Sequence, residues 1–567
     1  MDEPTATILG WSTGEPVVTP DAIQHIHQAD PETLLAWMEE LSEPDRRAVI
    51  HVRLSRDLLW LGSQVWPDRF YLPFNTAHLW ISTTVGALPS WAERVAAGQR
   101  ETCVALEAPR GLAKTMFLKL LILRAIAYHS EPYVMWLGGS VDEAVKETRH
   151  IRSFLEAPSA EFVRLYGVPL IAGTDKDWVV TLDGYAVKVS TRGIPRGRVR
   201  GANFNGQRPT LIVGDDIEHP DSVRNPRLRD GLTRYINSDV RNAGPKEGGL
   251  LWVQFGTRLS QDSQTARASK DPAYLSERFQ SVLRWPDRSE LWERCRGLWC
   301  DLTDPDRQET ARRFYDHHRE EMDEGAEVLD EVAQPIYTLY TLLWSKGWYS
   351  FLADYQNDPS DPTRQLFYPE KWGRCSWDGG TITTSSGRQV LLSECKVAVW
   401  LDPRASEQVD RNDYAALSIV ARDPHGYVYV LSIDIRREGT VAQLERLWAA
   451  FDLLGPSALY GYEENGFQIL MGREFKRLQR ERQRAYRPAN CILRGFTSTR
   501  NKNDRIASLA PRIDNGWIEF ATSISQTVIE QWRDHPAATH DDGPDATERA
   551  IWLVEGGGAA EATLGRS

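Results

Sequence analysis

Residues 108–115 of this chain read A-P-R-G-L-A-K-T, between a short apolar run at 102–106 and a long apolar-periodic stretch at 116–128. Strand, tight loop, Lys-Thr and helix is the order a phosphate-binding loop requires. The N–H groups of such a loop, here those of Arg110, Gly111, Leu112 and Ala113 behind Pro109, face the anion together with the helix N-terminus. Lys114 would reach the β- and γ-phosphates of a bound nucleotide, and the Thr115 hydroxyl would ligate Mg²⁺. The loop departs from the usual pattern at its first and sixth positions, where glycines are replaced by Ala108 and Ala113. Alanine restricts the backbone where glycine frees it, so a stiffer loop is expected. The plainer alternative is a helix that simply begins at Pro109.

The sequence downstream favours the phosphate loop. About 100 residues after Lys114 comes T-L-I-V-G-D-D-I-E, residues 210–218, an apolar strand ending in acids. Asp215 would hold the metal through water. Asp216 or Glu218 would orient or deprotonate an attacking water. The next strand, L-L-W-V-Q-F, ends in G-T-R-L-S-Q-D, where Thr257 and Arg258 are candidates to sense the γ-phosphate. Ahead of the acidic strand lies R-G-I-P-R-G-R-V-R-G, residues 192–201. One of Arg196, Arg198 and Arg200 could serve a neighbouring subunit's γ-phosphate, or all could grip DNA phosphates.

At 567 residues the chain exceeds one ordinary core, and a 41% hydrophobic, 26% charged composition is that of a globular protein. No apolar run is long enough for a membrane span, and the N-terminus lacks a signal-peptide core. The six cysteines, Cys103, Cys295, Cys300, Cys375, Cys395 and Cys491, are scattered, so reduced thiols and a cytoplasmic address are expected. The net charge of −12 speaks mildly against a protein that coats nucleic acid. Residues 184–214 and 473–505 are nonetheless basic, as phosphate-backbone contacts require.

Five parts are expected. Residues 1–60 form an N-terminal helical appendage, 61–275 an α/β domain of short buried parallel strands, and 276–390 an irregular connector. Residues 391–553 form a second α/β block and 554–567 a disordered tail. The second block begins with three successive strands, 396–402, 415–422 and 427–435, then alternates helix and strand. That pattern suggests the mixed sheet of a ribonuclease-H-like fold. Its acids fall at strand ends and near a late helix at 546–553: Asp402 closes the first strand, Glu463 the fourth, and Asp541, Asp542 and Asp545 precede the helix. In such a sheet these segments meet, and their oxygens would clamp two Mg²⁺ or Mn²⁺ ions to cut a phosphodiester. Asp413 is a possible auxiliary ligand, and Glu464 rivals Glu463, since side chains alternate along a strand.

The ordered set resembles the large subunit of a tailed-bacteriophage terminase. It comprises the glycine-poor loop, R-G-x-R-x-R-G, L-I-V-G-D-D-I-E, G-T-R-L, Y-Q-N-D-P at 355–359, Asp402 with Asp413, E-E-N-G-F-Q and H-D-D-G-P-D-A. The resemblance covers about residues 70–553 and implies an N-terminal P-loop NTPase of the ASCE type followed by a ribonuclease-H-like nuclease. It implies ATP hydrolysis that drives double-stranded DNA into a procapsid, and endonuclease cleavage of concatemeric DNA. It also implies a homo-oligomeric ring, a portal protein and a small terminase subunit as partners, and the host cell cytoplasm as location. The family's acidic pair is Asp-Glu, whereas this chain has Asp215-Asp216 with Glu218 beyond, so the catalytic carboxylate is open. A repair or restriction helicase-nuclease is disfavoured by the single P-loop core. A structural protein with dead sites is disfavoured by the intact Lys114, Thr115, Asp215, Asp402, Glu463 and Asp541.

Overall fold

The computed structural model describes residues 43–70, 73–194, 199–219, 222–223, 225–359, 366–403, 414–464, 468–498 and 500–557, with Thr33, Ala36 and Trp37. Most of residues 1–42 of the expected N-terminal appendage, Arg196, Arg198, Asp413 and residues 558–567 of the tail lie outside these. The chain divides into two units. One comprises Met1–Trp285, Gly325–Leu339 and Ser350–Pro362, the other Pro286–Glu324, Tyr340–Tyr349 and Thr363–Ser567. Residues 276–390 are therefore shared between them.

The described part of the first unit is built on β1 (Glu101–Glu107), β2 (Tyr133–Gly138), β3 (Leu170–Gly173), β4 (Asp177–Leu182), β5 (Tyr185–Gly193), β6 (Leu211–Asp215), β7 (Leu250–Gly256) and β8 (Tyr274–Arg278). They form one sheet in the order β3-β4-β5-β2-β6-β7-β1-β8. From β5 to β8 all neighbours are parallel, whereas β3 and β4 are an antiparallel addition at one edge. The β4–β5 hairpin turns at Asp183-Gly184, both at positive φ (48° and 80°). An Asp-Gly turn between apolar runs is a strong hairpin signal, and this antiparallel pair is an addition to the parallel strands expected over 61–275. A short antiparallel pair, β9 (Val282–Arg284) with β10 (Glu327–Val328), stands apart from this sheet.

The central strands read as apolar runs because both faces are covered. On β1, Val104 and Leu106 enter one core together with the helix Lys114–Ala127, while Cys103 and Ala105 enter the core on the other face. Leu54, Leu58 and Leu61 are buried in the first of these cores. The described end of the N-terminal segment is thus part of the core of this unit. β7 lies between β1 and β6, with Glu107 level with Gly256 and Asp215 level with Phe255. The loop after β1 and the acids after β6 consequently leave the same edge of the sheet on either side of Thr257. This strand order is that of an ASCE-type P-loop NTPase.

The second unit holds β11 (Gly373–Trp377), β12 (Thr381–Thr384), β13 (Gln389–Leu391), β14 (Lys396–Asp402), β15 (Ala415–Arg422), β16 (Val428–Arg436), β17 (Leu459–Glu463), β18 (Leu493–Phe496) and β19 (Ile518–Ala521). Their order is β13-β12-β11-β19-β16-β15-β14-β17-β18. β14, β15 and β16 form the antiparallel meander, and β14, β17 and β18 are parallel. This is the ribonuclease-H-like arrangement. Asp423 makes the turn between β15 and β16, its Oδ1 accepting from the N–H groups of Gly426 (2.8 Å) and Tyr427 (3.0 Å). β11 to β13 fall within the stretch read as connector. They are three to five residues long, hold no apolar run of more than two residues, and join the sheet through the pairing of β11 with β19, so they carry little signal of their own.

The helix Asp542–Val554 packs across β14 to β17. It starts four residues earlier than the sequence pattern suggests, which corrects the placement of Asp542 and Asp545 ahead of the helix. Pro544 is tolerated because it lies in the first turn, where its missing N–H would be unpaired anyway. Close approach of this helix depends on Gly461 of β17. A Cβ there would stand 2.7 Å from Trp400 and 2.9 Å from Leu553. Gly461→Ala is therefore expected to destabilise the second unit by about 1–3 kcal/mol through overpacking. Urea denaturation followed by tryptophan fluorescence measures this, and an unchanged midpoint would refute the close approach.

Candidate active sites

The loop after β1 keeps the backbone path that glycine would give. Ala113 is left-handed (φ 56°, ψ 23°) immediately before the helix Lys114–Ala127, and Gly111 has φ 89°. The left-handed region costs alanine roughly 1–2 kcal/mol, so the loop is held by its surroundings. Gln334 braces it, its Nε2 donating to the Arg110 carbonyl at 2.8 Å and its Oε1 accepting from Ser281 Oγ at 2.8 Å. Asp354 braces the opposite group: its carbonyl accepts the Arg110 N–H at 2.9 Å, and its carboxylate lies 3.0 Å from Arg110 Nε. Gln334 and Asp354 were not singled out in the sequence, where they lie more than 200 residues from the loop.

Lys114 is buried and curls onto its own loop. Its Nζ donates to the carbonyls of Ala108 (2.8 Å) and Pro109 (3.2 Å) and to Thr257 Oγ1 (2.9 Å). Desolvation lowers its pKa, against the pull of Asp216 and Asp215. Thr115 Oγ1 lies 2.9 Å and 3.1 Å from the two carboxylate oxygens of Asp215. Burial raises the Asp215 pKa to about 7, with the neighbouring Asp216 adding to it. A cleft of about 330 Å³ opens here, lined by Arg110, Thr115, Asp215, Asp216, Glu218, Thr257 and, from the helix Val141–Glu156, Glu143 and Glu147.

Asp216 and Glu218 are placed very differently. Asp216 is exposed toward the cleft at positive φ (39°). Glu218 is buried, and its two oxygens accept from Gln264 N (2.7 Å), Thr265 N (2.9 Å) and Thr265 Oγ1 (2.8 Å). It thereby ties the end of β6 to the start of the helix Gln264–Lys270. Thr257 meets Lys114 as described. Arg258 turns away from the cleft: its N–H donates to Asn357 Oδ1 at 2.9 Å and its Nη1 lies 3.4 Å from the fully buried Glu107. Arg200 is exposed, paired with Asp239 and the Ser238 carbonyl, and is not among the residues lining the cleft.

In the second unit, parallel pairing of β14 with β17 sets Leu401 level with Tyr462, so Asp402 and Glu463 leave the same edge. The helix Asp542–Val554 brings Asp545 between them. Oxygens of Asp402, Glu463 and Asp545 all lie within 4.8 Å of one another. Burial drives the Asp402 pKa well above the carboxylate range, reinforced by Asp545 and Glu463. Such a set of hard oxygens, uncomfortable together without a cation, fits Mg²⁺ or Mn²⁺. Asp541 and Asp542 flank this trio at its rim: Asp541 Oδ1 is 2.7 Å from Lys502 Nζ and Asp542 Oδ2 is 3.8 Å from His540 Nδ1. Glu464 turns away, its Oε1 accepting from Tyr462 Oη at 3.3 Å. Lys502 and Arg505, part of the basic segment 473–505, reach into the acid cluster, a role that segment's composition does not signal.

The two folds are the parallel sheet of an ASCE-type P-loop NTPase and a ribonuclease-H-like mixed sheet. No protein-family model and no curated protein matches the chain in sequence. Solved structures are similar to it. The large terminase of a thermophilic bacteriophage in complex with ADP is 9% identical, with a TM-score of 0.43, over 85% of this chain and 100% of that one. The inhibitor-bound human cytomegalovirus terminase nuclease domain is 16% identical, with a TM-score of 0.23, over 30% and 88%. A Phi-28 DNA-packaging motor is 11% identical, with a TM-score of 0.24, over 71% and 93%.

The Asp215 shift has a sign that can be tested. Its pKa is about 7 when folded against 3.8 ordinarily, so between those values the folded chain holds a proton that the unfolded chain has lost. Stability therefore falls as pH rises from about 4 to about 7. Asp215→Asn, neutral throughout, is expected to exceed the wild type in stability at about pH 8 but not at about pH 4, at about 1.4 kcal/mol for each pH unit between the two pKa values. Urea denaturation of the nucleotide-free chain at both pH values measures this, and equal gains at both would refute it.

Proposed function

We propose that this chain is the large subunit of a viral DNA-packaging terminase. In this reading it hydrolyses ATP to translocate double-stranded DNA into a procapsid and cleaves concatemeric DNA with a metal-dependent endonuclease. The observation that carries the proposal is the presence, in one chain, of two separately built acid centres. One is a lysine-threonine loop facing Asp215 and Asp216. The other is a trio of carboxylates from two strands and a helix. A translocase needs the first and a nuclease the second.

In the ATPase centre, Lys114 exchanges the loop carbonyls and Thr257 for phosphate oxygens, and the N–H groups of residues 110–113 cradle the same anion. Thr115 and Asp215 would hold Mg²⁺, the ion that neutralises charge on the transferred phosphoryl group. Asp216 is the carboxylate free to orient and deprotonate water, while Glu218 is spent on the helix at Gln264–Lys270. Loss of the phosphate contact returns the Lys114 ammonium to Thr257, next to Arg258, whose N–H is tied to Asn357. An Arg from residues 196–200 would act on a neighbouring copy in a homo-oligomeric ring.

In the nuclease centre, Asp402, Glu463 and Asp545, with Asp541 and Asp542 behind them, would hold one or two Mg²⁺ or Mn²⁺ ions. Bound there, such ions supply an activated water and stabilise the leaving oxygen. Arg473, Lys476, Arg480, Arg484, Arg494 and Arg500 are exposed and offer DNA-phosphate contacts. The portal protein, a small terminase subunit and the host cell cytoplasm belong to the same reading. No helix among the described residues is long and apolar enough to cross a membrane.

Lys114→Ala is expected to reduce ATP hydrolysis by roughly 100-fold or more while Mn²⁺-dependent plasmid cleavage continues. Asp402→Asn should do the reverse. Parallel loss of both activities in a folded variant would sink the two-centre reading. Within the ATPase centre, Asp216→Asn should lose turnover at unchanged stability. Glu218→Gln should instead lose about 1–3 kcal/mol of stability, because it removes charged hydrogen bonds. Turnover assays and urea denaturation of both variants distinguish the two acids.

A further inference from the structure

The helix Lys502–Ala507 carries two cations into the acid cluster of the second unit. Lys502 Nζ lies 2.7 Å from Asp541 Oδ1 and 3.0 Å from Asp545 Oδ2. Arg505 Nη2 donates to the other oxygen of Asp545 at 2.8 Å, and its Nη1 donates to Glu548. Asn501 fixes the start of the helix, its Oδ1 accepting from Asn503 N at 2.9 Å and Asp504 N at 3.4 Å. Both oxygens of Asp545 thus face a cation supplied by the chain itself.

We infer that Lys502 is a resident counter-ion at one of the two ion positions of the proposed nuclease centre. The chain then binds one divalent ion readily, through Asp402 and Glu463, and a second only when Lys502 leaves Asp541 and Asp545. This inference rests on the nuclease reading above.

An ammonium and a divalent ion compete here for the same oxygens. An ammonium at 2.7–3.0 Å from two carboxylates makes charge-assisted hydrogen bonds to the lone pairs that a metal would use. Mg²⁺ needs its oxygens at about 2.0–2.1 Å, so ammonium and ion cannot share the same pair, and their like charges repel. The two basic residues differ in freedom. The Arg505 side chain is only 7% exposed and is pinned between Asp545 and Glu548, so it positions Asp545. The Lys502 side chain is 36% exposed on a flexible four-carbon stem, which gives its ammonium a way out to solvent.

The test is calorimetric titration of Mn²⁺ into the nucleotide-free full chain, with Asp402→Asn as the reference that lacks the centre. Wild type and Lys502→Arg, which keeps the charge, are expected to bind one ion at the cluster, with any second roughly 10-fold or more weaker. Lys502→Met, which keeps the stem but not the charge, is expected to bind two ions, the second tightened about 10-fold. Two equally tight ions in the wild type, or unchanged stoichiometry and affinity in Lys502→Met, would overturn the inference. Should Lys502→Met fail to fold, the wild-type stoichiometry alone decides: one tight ion supports the inference and two equal ones refute it. Mn²⁺ binding that is the same in Asp402→Asn as in the wild type would instead overturn the nuclease reading itself.

Discussion

A carboxylate placed at the end of a central strand cannot escape to water as a surface acid does. Asp215 ends β6 and Asp402 ends β14, each next to another acid and each with its pKa raised first by burial. Every other feature of the two centres answers that desolvation. Thr115 and Lys114 stand against Asp215, while Lys502 lies within reach of the charge on Asp402. Buried like charges are tolerated where a cation relieves them, which makes each centre a receptor for positive charge.

The loop around Lys114 shows how such a centre is held in place. Ala113 sits in a backbone region that suits glycine, and the strain is borne by contacts from distant parts of the chain: Gln334 and Asp354 on Arg110, and Thr257 on Lys114. The Arg258–Glu107 pair and Asn357 fix the strand end that carries Thr257. The missing glycines therefore alter the cost of the loop but not its path.

Charge that reads as surface in the sequence is partly spent inside. In the basic segment 473–505, Arg477 pairs with Glu474 and Glu481, and Arg482 and Arg487 pair with Asp452. Lys502 and Arg505 serve the acid cluster. The exposed remainder is smaller than the composition suggests, though still enough for contacts with a phosphate backbone.

Much of this was legible along the chain. Apolar runs covered on both faces identified β1, β6 and β7, and the meander followed by alternation identified the second sheet. The loop with Lys114 and Thr115, and the acids Asp215, Asp402 and Glu463, announced themselves by chemistry at strand ends, which is local information. Short polar strands such as β11 to β13 carried no such pattern. Which of Asp216 and Glu218 is tied to the helix Gln264–Lys270, which late acid joins Asp402 and Glu463, and where Lys502 and Arg505 go are questions of which distant segments meet. Strand pairing and helix packing answer them: β14 beside β17, and the helix Asp542–Val554 laid over both against Gly461. Periodicity and local chemistry along the chain are enough for the two folds and the residue types at their strand ends. Which charges confront one another follows from the register and approach of segments far apart in the chain, and is seen only once the sheets and helices are packed.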